Sequence, residues 1–291
     1  MADSQIDGNA LKAMLGAGVN CVSEHVALIN DLNVFPVPDG DTGINLHHTL
    51  QRAWQEIANR EEDALCVVAE RFAYGALMGA RGNSGTIMSQ FLRGFAAGLK
   101  QASVLTAPLL IDACESAVAR AYAAVSQPVE GTILTVARES VADLTVDMSL
   151  DEIFASMVNA AHRSVNNTPN LLPLLKEAGV VDAGGMGLLC FLQGLKKHVC
   201  GERAEIRLPA PGEFERPTLQ AAPAESYGYD VQFMMMGERL DVGAVREDME
   251  QLGWSVIVAG DSTAIKVHIH IDNPALPLDY AVRAGADLTD V

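Results

Sequence analysis

Apolar residues recur every three or four positions through most of the first 200 residues of this 291-residue chain. The spacing is clearest over residues 9–30, 50–99 and 105–124, and it is the spacing that places side chains on one face of a helix. Only 5% of the residues are aromatic, while alanine, leucine, glycine and methionine are plentiful, a balance that favours packed helices over a β-sandwich. The sequence therefore predicts a mainly helical first region.

The pattern changes after residue 200. Residues 201–226 carry four of the twelve prolines among interspersed charges, which is typical of an exposed linker. Beyond it, residues 229–236 and 254–259 have the pattern of strands and flank an amphipathic stretch at residues 242–252. A small α/β domain follows from this arrangement.

Residues 264–271 alternate strictly between two kinds of side chain, which predicts a further strand. One face would carry Ile265, Val267, Ile269 and Ile271, and the other Lys266, His268 and His270. We therefore predict three segments: a helical domain at residues 1–203, a proline-rich linker at 204–226 and a small α/β domain at 227–291.

Composition excludes several classes of function. The formal net charge of −17 repels phosphate-rich polymers, so nucleic acid is not expected as a partner. No run of about 18 apolar residues is present and the first residues lack the pattern of a secretory signal, so we expect no membrane insertion and a cytoplasmic location. Five scattered cysteines without a CxxC pair indicate reduced thiols.

The most informative stretch is residues 33–45, Asn-Val-Phe-Pro-Val-Pro-Asp-Gly-Asp-Thr-Gly-Ile-Asn. Asp39 and Asp41 stand one glycine apart behind two prolines, an arrangement that suits Mg²⁺ held by carboxylates and by the phosphates of a nucleotide. A calcium-binding EF-hand loop counted from Asp39 fails, because position five is Gly43 and position twelve is Leu50. On local chemistry alone, a solvated turn remains an alternative.

A second glycine-rich stretch surrounds two small polar residues. Gly79, Gly82 and Gly85 flank Asn83 and Ser84, and glycine at this density lets the backbone approach a ligand closely. The stretch lacks the lysine of a P-loop. Tight helix packing is the alternative interpretation of the same glycines.

Four segments in order resemble one family. Residues 33–45, 79–86, 130–135 and 174–185 are similar to the motifs of the ATP-binding domain of the dihydroxyacetone kinase superfamily, in the variant carried by the FakA-type subunits of bacterial fatty acid kinases. The resemblance covers about the first 200 residues. It implies a mainly α fold: an all-helical barrel of about eight antiparallel helices, followed here by a small α/β domain that is incomplete relative to longer members, so that this chain is expected to be a short form or a fragment.

The resemblance also implies which residues bind ligands. Asp39, Asp41 and, as the third oxygen ligand, Asn33 would hold Mg²⁺, with two ions expected, and Asp39, Asp41 and Thr42 would form the catalytic set. ATP would contact Thr42, Asn45, Gly82, Asn83, Ser84, Gly85, Thr132, Asp182, Gly184 and Gly185. For Thr42, capping of the next helix is the alternative role.

In the second domain the resemblance implies a structural metal. Two histidines and a cysteine bind it in the resembled proteins, and here His268 and His270 match while Asp230 stands in the place of the cysteine. A Zn²⁺ site formed by Asp230, His268 and His270 is one interpretation. Two half-exposed histidines on a sheet surface are the other.

The function that the resemblance implies is that of a kinase subunit. It would transfer the γ-phosphate of Mg·ATP to a fatty acid presented by a separate fatty-acid-binding carrier protein, DegV-like in the resembled systems, and a homodimer is possible in this family. One alternative is a kinase acting on a small ketose such as dihydroxyacetone, although the metal loop of that branch typically has histidine where Thr42 stands. The other is a non-catalytic nucleotide-binding regulatory subunit.

Overall fold

The structure is a computed structural model that describes residues 6–61, 64–201 and 228–291. The predicted linker at residues 204–226 lies outside the described residues, so its bounds stay a prediction. Within the described ranges, no helix is both long enough and apolar enough to cross a membrane.

The first region is helical, as predicted. Eight of its described helices have nine or more residues, and two short ones, α2 and α9, have six. Their bounds are α1 Gly8–Glu24, α2 Val26–Asp31, α3 Thr42–Ile57, α4 Leu65–Met78, α5 Gly82–Leu99, α6 Ala107–Ala124, α7 Ile133–Val141, α8 Leu150–Leu171, α9 Pro173–Ala178 and α10 Ala183–Cys200.

The eight longer helices close into a ring. Each packs against the next one along the chain, and α10 packs back against α1, around a shared apolar core. Glycine makes the closest of these contacts possible: a Cβ atom on Gly94 or Gly98 of α5 would collide with the backbone of α6, and one on Gly194 of α10 would collide with the backbone of α1. The predicted helical barrel is thereby confirmed.

The second region is a four-stranded antiparallel sheet with two helices, which confirms the predicted small α/β domain. Its elements are β1 Tyr229–Met236, α11 Val242–Leu252, β2 Trp254–Gly260, β3 Ala264–Ile271, α12 Ala275–Arg283 and β4 Asp287–Thr289. The strand order is β2-β3-β1-β4, with β3 in the centre. Strand β4 was not predicted, because three partly exposed residues carry no usable alternation.

Both faces of the sheet are covered. All eight residues of β3 are buried. Its isoleucines and valine form an apolar core with α11 and α12, while the opposite face lies against the helical ring. The expectation of half-exposed histidines is therefore wrong: His268 and His270 are 1% and 7% exposed. The sequence could not show that a second domain covers their face.

Direct hydrogen bonds and an ion pair join the sheet to the ring. The Arg93 guanidinium lies 2.7 Å from the Asp261 carboxylate, and the Ser126 hydroxyl donates to the Val256 carbonyl at 3.1 Å. The backbone amide of Gly82 donates to the Gln232 side chain at 3.0 Å. These contacts set the distance between the two domains and frame the space between them.

Candidate active site

A cavity of about 570 Å³ lies between the helical ring and the polar face of the sheet. Most of the residues that the sequence singled out line it. They are Asn33, Asp39, Asp41, Thr42, Asn45, Gly82, Asn83, Ser84, Thr132, Asp182, Gly184, Asp230, His268 and His270. Segments up to 237 positions apart in the sequence thus meet at a single cavity, counting from Asn33 to His270 (270 − 33).

The ring contributes four helix N-termini to the cavity. The first residues of α3, α5 and α7, together with Asp182 and Gly184 at the start of α10, belong to its lining. A helix N-terminus carries partial positive charge and unpaired amide donors, and it therefore attracts anions. In a chain of net charge −17, these termini are a local environment suited to phosphate.

Asparagine side chains fix the loop that carries the two aspartates. The Oδ1 atom of Asn33 accepts from the backbone amide of Thr42 at 3.0 Å and also from the Thr42 hydroxyl. Its Nδ2 atom donates to the Val37 carbonyl at 2.6 Å. Asn30 accepts from the amide of Gly43 at 2.7 Å. With two donors on its amide oxygen, Asn33 orders the loop, and its role as a magnesium ligand stays a prediction.

The two carboxylates of this loop influence each other. Partial desolvation raises the pKa of Asp39 to about 6, and the negative charge of Asp41 adds to the shift. Two carboxylates that repel each other at neutral pH are suited to share a divalent cation, because the cation offsets the repulsion. Asp41 is also the N-cap residue of α3 and makes no side-chain capping hydrogen bond.

Thr42 is the first residue of α3, next to the N-cap. Its hydroxyl donates to Asn33, so the oxygen lone pairs face other groups as acceptors only. The capping alternative for Thr42 does not apply, because Asp41 occupies the cap position.

The N-terminus of α5 is not capped by its own segment. Gly82 adopts φ +59°, a left-handed conformation that favours glycine, and a Cβ atom there would lie 2.5 Å from the side-chain nitrogen of Asn45. Among the described residues, its amide is bound by Gln232 of the sheet. The Oδ1 atom of Asn83 is buried with no hydrogen-bond partner in the described chain, so it is available to a ligand donor.

Thr132 and Asp182 cap the other two helices. Thr132 accepts from the amide of Leu134 at 3.4 Å, and Asp182 accepts from the amide of Gly185 at 2.7 Å. Burial raises the pKa of Asp182 to about 7, although the two backbone amides that point at it oppose the shift. Both side chains are thus engaged by the protein where they border the cavity.

Two of the predicted nucleotide-binding glycines, Gly85 and Gly185, do not line the cavity. A Cβ atom on Gly85 would collide with the Thr49 hydroxyl, and one on Gly185 would lie 2.7 Å from a methyl group of Val136. The structure gives both glycines a packing role, which is the alternative that the sequence left open for the stretch around Gly85.

The sheet contributes a cluster of metal-ligating groups. The ligand atoms of Asp230, His268 and His270 lie within 4.8 Å of one another. His268 Nδ1 is 3.2 Å from Asp230 Oδ1, yet neither ring nitrogen has a hydrogen bond of good geometry among the described residues. Burial lowers the pKa of His268 to about 3, so the imidazole is neutral at pH 7, the form that binds metals.

This cluster fits a divalent cation. Two neutral imidazoles and one carboxylate are a common ligand set for Zn²⁺, and three protein ligands leave a fourth coordination position open. All three residues also line the cavity that contains Asp39 and Asp41.

Sequence reasoning missed two cavity-facing residues of the small domain. Gln232 bridges to Gly82, and it stands two positions after Asp230 on β1, so strand alternation could have placed both on one face. Trp254 lines the cavity from β2, where a local irregularity hides it from any regular pattern.

Two family regions match this chain. Residues 36–197 match the DAK2 domain, and residues 226–290 match the middle domain of FakA-like proteins, which are related to fatty acid kinase. The first match includes the aspartate loop and the helix N-termini, and the second includes the metal-ligating cluster.

Similar and longer proteins occur in staphylococci. An uncharacterized protein of Staphylococcus aureus (strain bovine RF122 / ET3-1) is 37% identical over 298 residues, covering 97% of this chain and 54% of the relative. An uncharacterized protein of Staphylococcus epidermidis (strain ATCC 12228 / FDA PCI 1200) is 35% identical over 297 residues, with the same coverage. The chain spans about half the length of the curated relatives it matches.

Among solved structures, the dihydroxyacetone kinase of C. freundii in its native form superimposes on part of this chain with a TM-score of 0.48. The two sequences are 19% identical, and the match covers 68% of this chain and 36% of the other.

Proposed function

This chain belongs to the DAK2 domain family, and on that premise we propose that it is a kinase subunit that transfers the γ-phosphate of Mg·ATP to the carboxylate of a fatty acid. A separate fatty-acid-binding carrier protein would present the acyl chain. The product would be an acyl phosphate.

One observation carries the proposal: two mutually repelling carboxylates and four helix N-termini border the same cavity. Carboxylates alone would bind a cation, and helix N-termini alone would bind an anion. Their combination is what a metal-bound polyphosphate requires, because it presents both charges within a few ångströms.

The residues divide the work of phosphoryl transfer. Asp39 and Asp41 would hold the magnesium ions, which when bound spread the negative charge of the phosphates. The uncapped amides at the start of α5 and the N-terminus of α3 would orient the phosphate oxygens. Thr42 and Asn45 would accept or donate at the same end of the cavity. Asn33 keeps this loop in place through Thr42.

The acceptor needs little help from the protein. A fatty acid carboxylate is already ionised at neutral pH, so no general base is required. An apolar cavity in the core of the helical ring measures only about 30 Å³, roughly the volume of one water molecule. An acyl chain cannot enter it, which supports delivery of the substrate by a carrier.

The metal-ligating cluster of the sheet is part of the proposal. Asp230, His268 and His270 would hold Zn²⁺, whose charge would add to the positive potential at the cavity. The unpartnered ring nitrogens of His268 support this assignment more directly than the spacing of the histidines does.

The test combines binding with turnover. Calorimetric titration of Mg·ATP into the wild type should give saturable binding, and the double variant Asp39→Ala, Asp41→Ala should lose at least about a hundredfold in affinity. Asp143→Ala, a surface aspartate paired only loosely with Arg163 at 3.8 Å, is the matched control. Undiminished binding in the double variant would refute the metal assignment.

Turnover is then measured with oleate bound to a carrier protein, with free dihydroxyacetone as the alternative acceptor. Acyl phosphate formation supports the proposal. Phosphorylation of dihydroxyacetone instead would identify a ketose kinase, and nucleotide binding without turnover of either acceptor would favour the non-catalytic alternative.

A further inference from the structure

Trp254 is a large aromatic residue whose position the proposed chemistry does not explain. It begins β2, lines the cavity and remains 39% exposed, whereas its neighbours Val256 and Ile257 are 4% and 2% exposed. The exposed face of an indole inside a cavity is an unused apolar surface of considerable area.

The backbone of β2 is irregular where it presents this side chain. Trp254 pairs with His270 and Ile257 pairs with His268, so three steps on β2 match two steps on β3. This extra residue is a β-bulge, a feature that redirects side chains and is frequent beside functional sites. Within it Ser255 has φ +51°, a left-handed conformation that costs a non-glycine residue about 1 kcal/mol.

The bulge changes which side chains reach the cavity. In a regular strand alternate residues face opposite sides, yet here all of residues 253–257 border the cavity. Strain in the backbone thus coincides with exposure of the indole to the cavity.

Neighbouring groups hold the indole in place. A Cβ atom on Gly228 would lie 3.0 Å from the indole Cη2 carbon, so glycine is required for the ring to lie over that backbone. On another side the Trp254 and His270 ring centroids are 6.4 Å apart. A ring braced in this way loses little further entropy when a ligand contacts it.

Strand β2 lies next to the segment that leads into α7. Val125 pairs with Ile257 in an isolated β-bridge, and the Ser126 hydroxyl bonds the Val256 carbonyl. From this segment Val129 and Ile133 add apolar surface to the same cavity. The polar groups suited to phosphate belong instead to the starts of α3 and α5.

We propose that Trp254 is the aromatic wall of a subsite for the planar base of the nucleotide, so that the small domain contributes directly to nucleotide selection. The inference rests on the proposed function, since it concerns the same ligand. A flat heteroaromatic ring gains stacking energy from an indole, whereas a phosphate or a hydrated metal gains none.

The chain offers a direct spectroscopic test, because it contains only two tryptophans. The other, Trp54, packs over Gly16 in the helical ring. In a Trp54→Phe background, Mg·ATP should quench the Trp254 emission saturably, at the concentration that calorimetry gives for binding. Magnesium tripolyphosphate, which carries the phosphates without a base, should bind and leave the emission unchanged.

Calorimetry on otherwise wild-type protein provides the second readout. Trp254→Ala should raise the Kd for Mg·ATP about tenfold and leave the Kd for magnesium tripolyphosphate unchanged, while Trp254→Phe should recover most of the loss. Tyr229→Ala is the matched control, since Tyr229 is a 58% exposed aromatic residue of the same sheet that does not line the cavity. It should change neither constant.

The outcomes separate this inference from the proposed function. If the wild type binds Mg·ATP but Trp254→Ala leaves its Kd unchanged, or weakens both ligands equally, the base subsite is refuted and the kinase proposal stands. A Trp254 signal that answers to the oleate-loaded carrier and not to nucleotide would also refute it. If the wild type binds neither Mg·ATP nor tripolyphosphate, both proposals fail.

Discussion

The two walls of the cavity are built on different physical principles. The wall formed by the helical ring is held by its own hydrogen bonds, in which Asn30, Asn33 and Asp182 each bind backbone amides. The wall formed by the sheet contains His268, which in the described part of the chain has no hydrogen bond to either ring nitrogen. One wall is complete without a ligand, and the other is not.

The difference concerns where free energy is available for binding. An unsatisfied buried polar group costs about 1–3 kcal/mol, and a ligand that satisfies it recovers that cost. The ring wall offers a fixed geometry instead, and it would bind by preorganisation. We therefore expect the ring wall to tolerate little change in shape and the sheet wall to respond strongly to a metal.

The largest effect should come from adding one methyl group to the ring wall. In Gly43→Ala the new Cβ would collide with the Val26 carbonyl and lie 2.8 Å from the Asn30 side-chain oxygen. Because backbone cannot yield easily, we expect a loss of about 3 kcal/mol in the free energy of unfolding, measured by urea denaturation.

Gly40 in the same loop is the matched control. It has φ +70°, and its nearest neighbour would be 4.0 Å from a new Cβ atom, so Gly40→Ala should cost only the left-handed strain of about 1 kcal/mol. Equal losses in the two variants would show that the ring wall adapts, contrary to the comparison.

The next effect concerns metal at the sheet wall. Zn²⁺ at about a hundred times its Kd should stabilise the wild type by about 2.7 kcal/mol, and His268→Ala should abolish most of that gain. Thermal unfolding with and without the metal measures both. His162→Ala, far along the sequence on α8, should keep the gain. Stabilisation of His268→Ala by zinc to the same extent would place the metal elsewhere.

A smaller effect is expected from the pH dependence of the ring wall. The folded pKa of Asp182 is about 7, above its usual value of 3.8, so the folded state binds the proton more tightly than the unfolded state. Its contribution to stability is fully present below pH 3.8 and is lost as the pH rises from there through 7. Relative to Asp182→Asn, the wild type should lose about 1 kcal/mol between pH 6 and pH 8. Denaturant titrations at both pH values measure this loss, and a parallel pH profile in the two proteins would contradict it.

The smallest effect should come from the ion pair that joins the walls. Arg93 and Asp261 lie 2.7 Å apart with side chains 15% and 49% exposed. Asp261→Asn keeps an acceptor for the Thr263 amide and should cost about 0.5 kcal/mol at low salt and less at high salt. Asp279→Asn, which removes an ion pair within α12, is the control for a purely surface pair. Identical salt dependence in both would mean that the pair between domains carries no special weight.

Much of this architecture could be read from local patterns. The helical period predicted the ring, and the amphipathic stretch at residues 242–252 coincides with α11. Strict alternation predicted β3 with its bounds. These elements follow from short-range rules, because side-chain spacing along a helix or a strand is fixed by the backbone. Strand β4 was missed because its pairing with β1, and not its own sequence, defines it.

The sequence by itself determined the kinds of element and the chemical groups available to a ligand: the paired aspartates, the glycine-rich stretch and the two histidines of one strand face. Only the tertiary structure decided that these groups share a cavity, that the histidines are buried, and that Gln232 and Trp254 belong beside them. The physical reason is that burial and ligand geometry depend on which surface covers another. Contacts between residues more than a hundred positions apart leave no periodic trace in the chain that forms them.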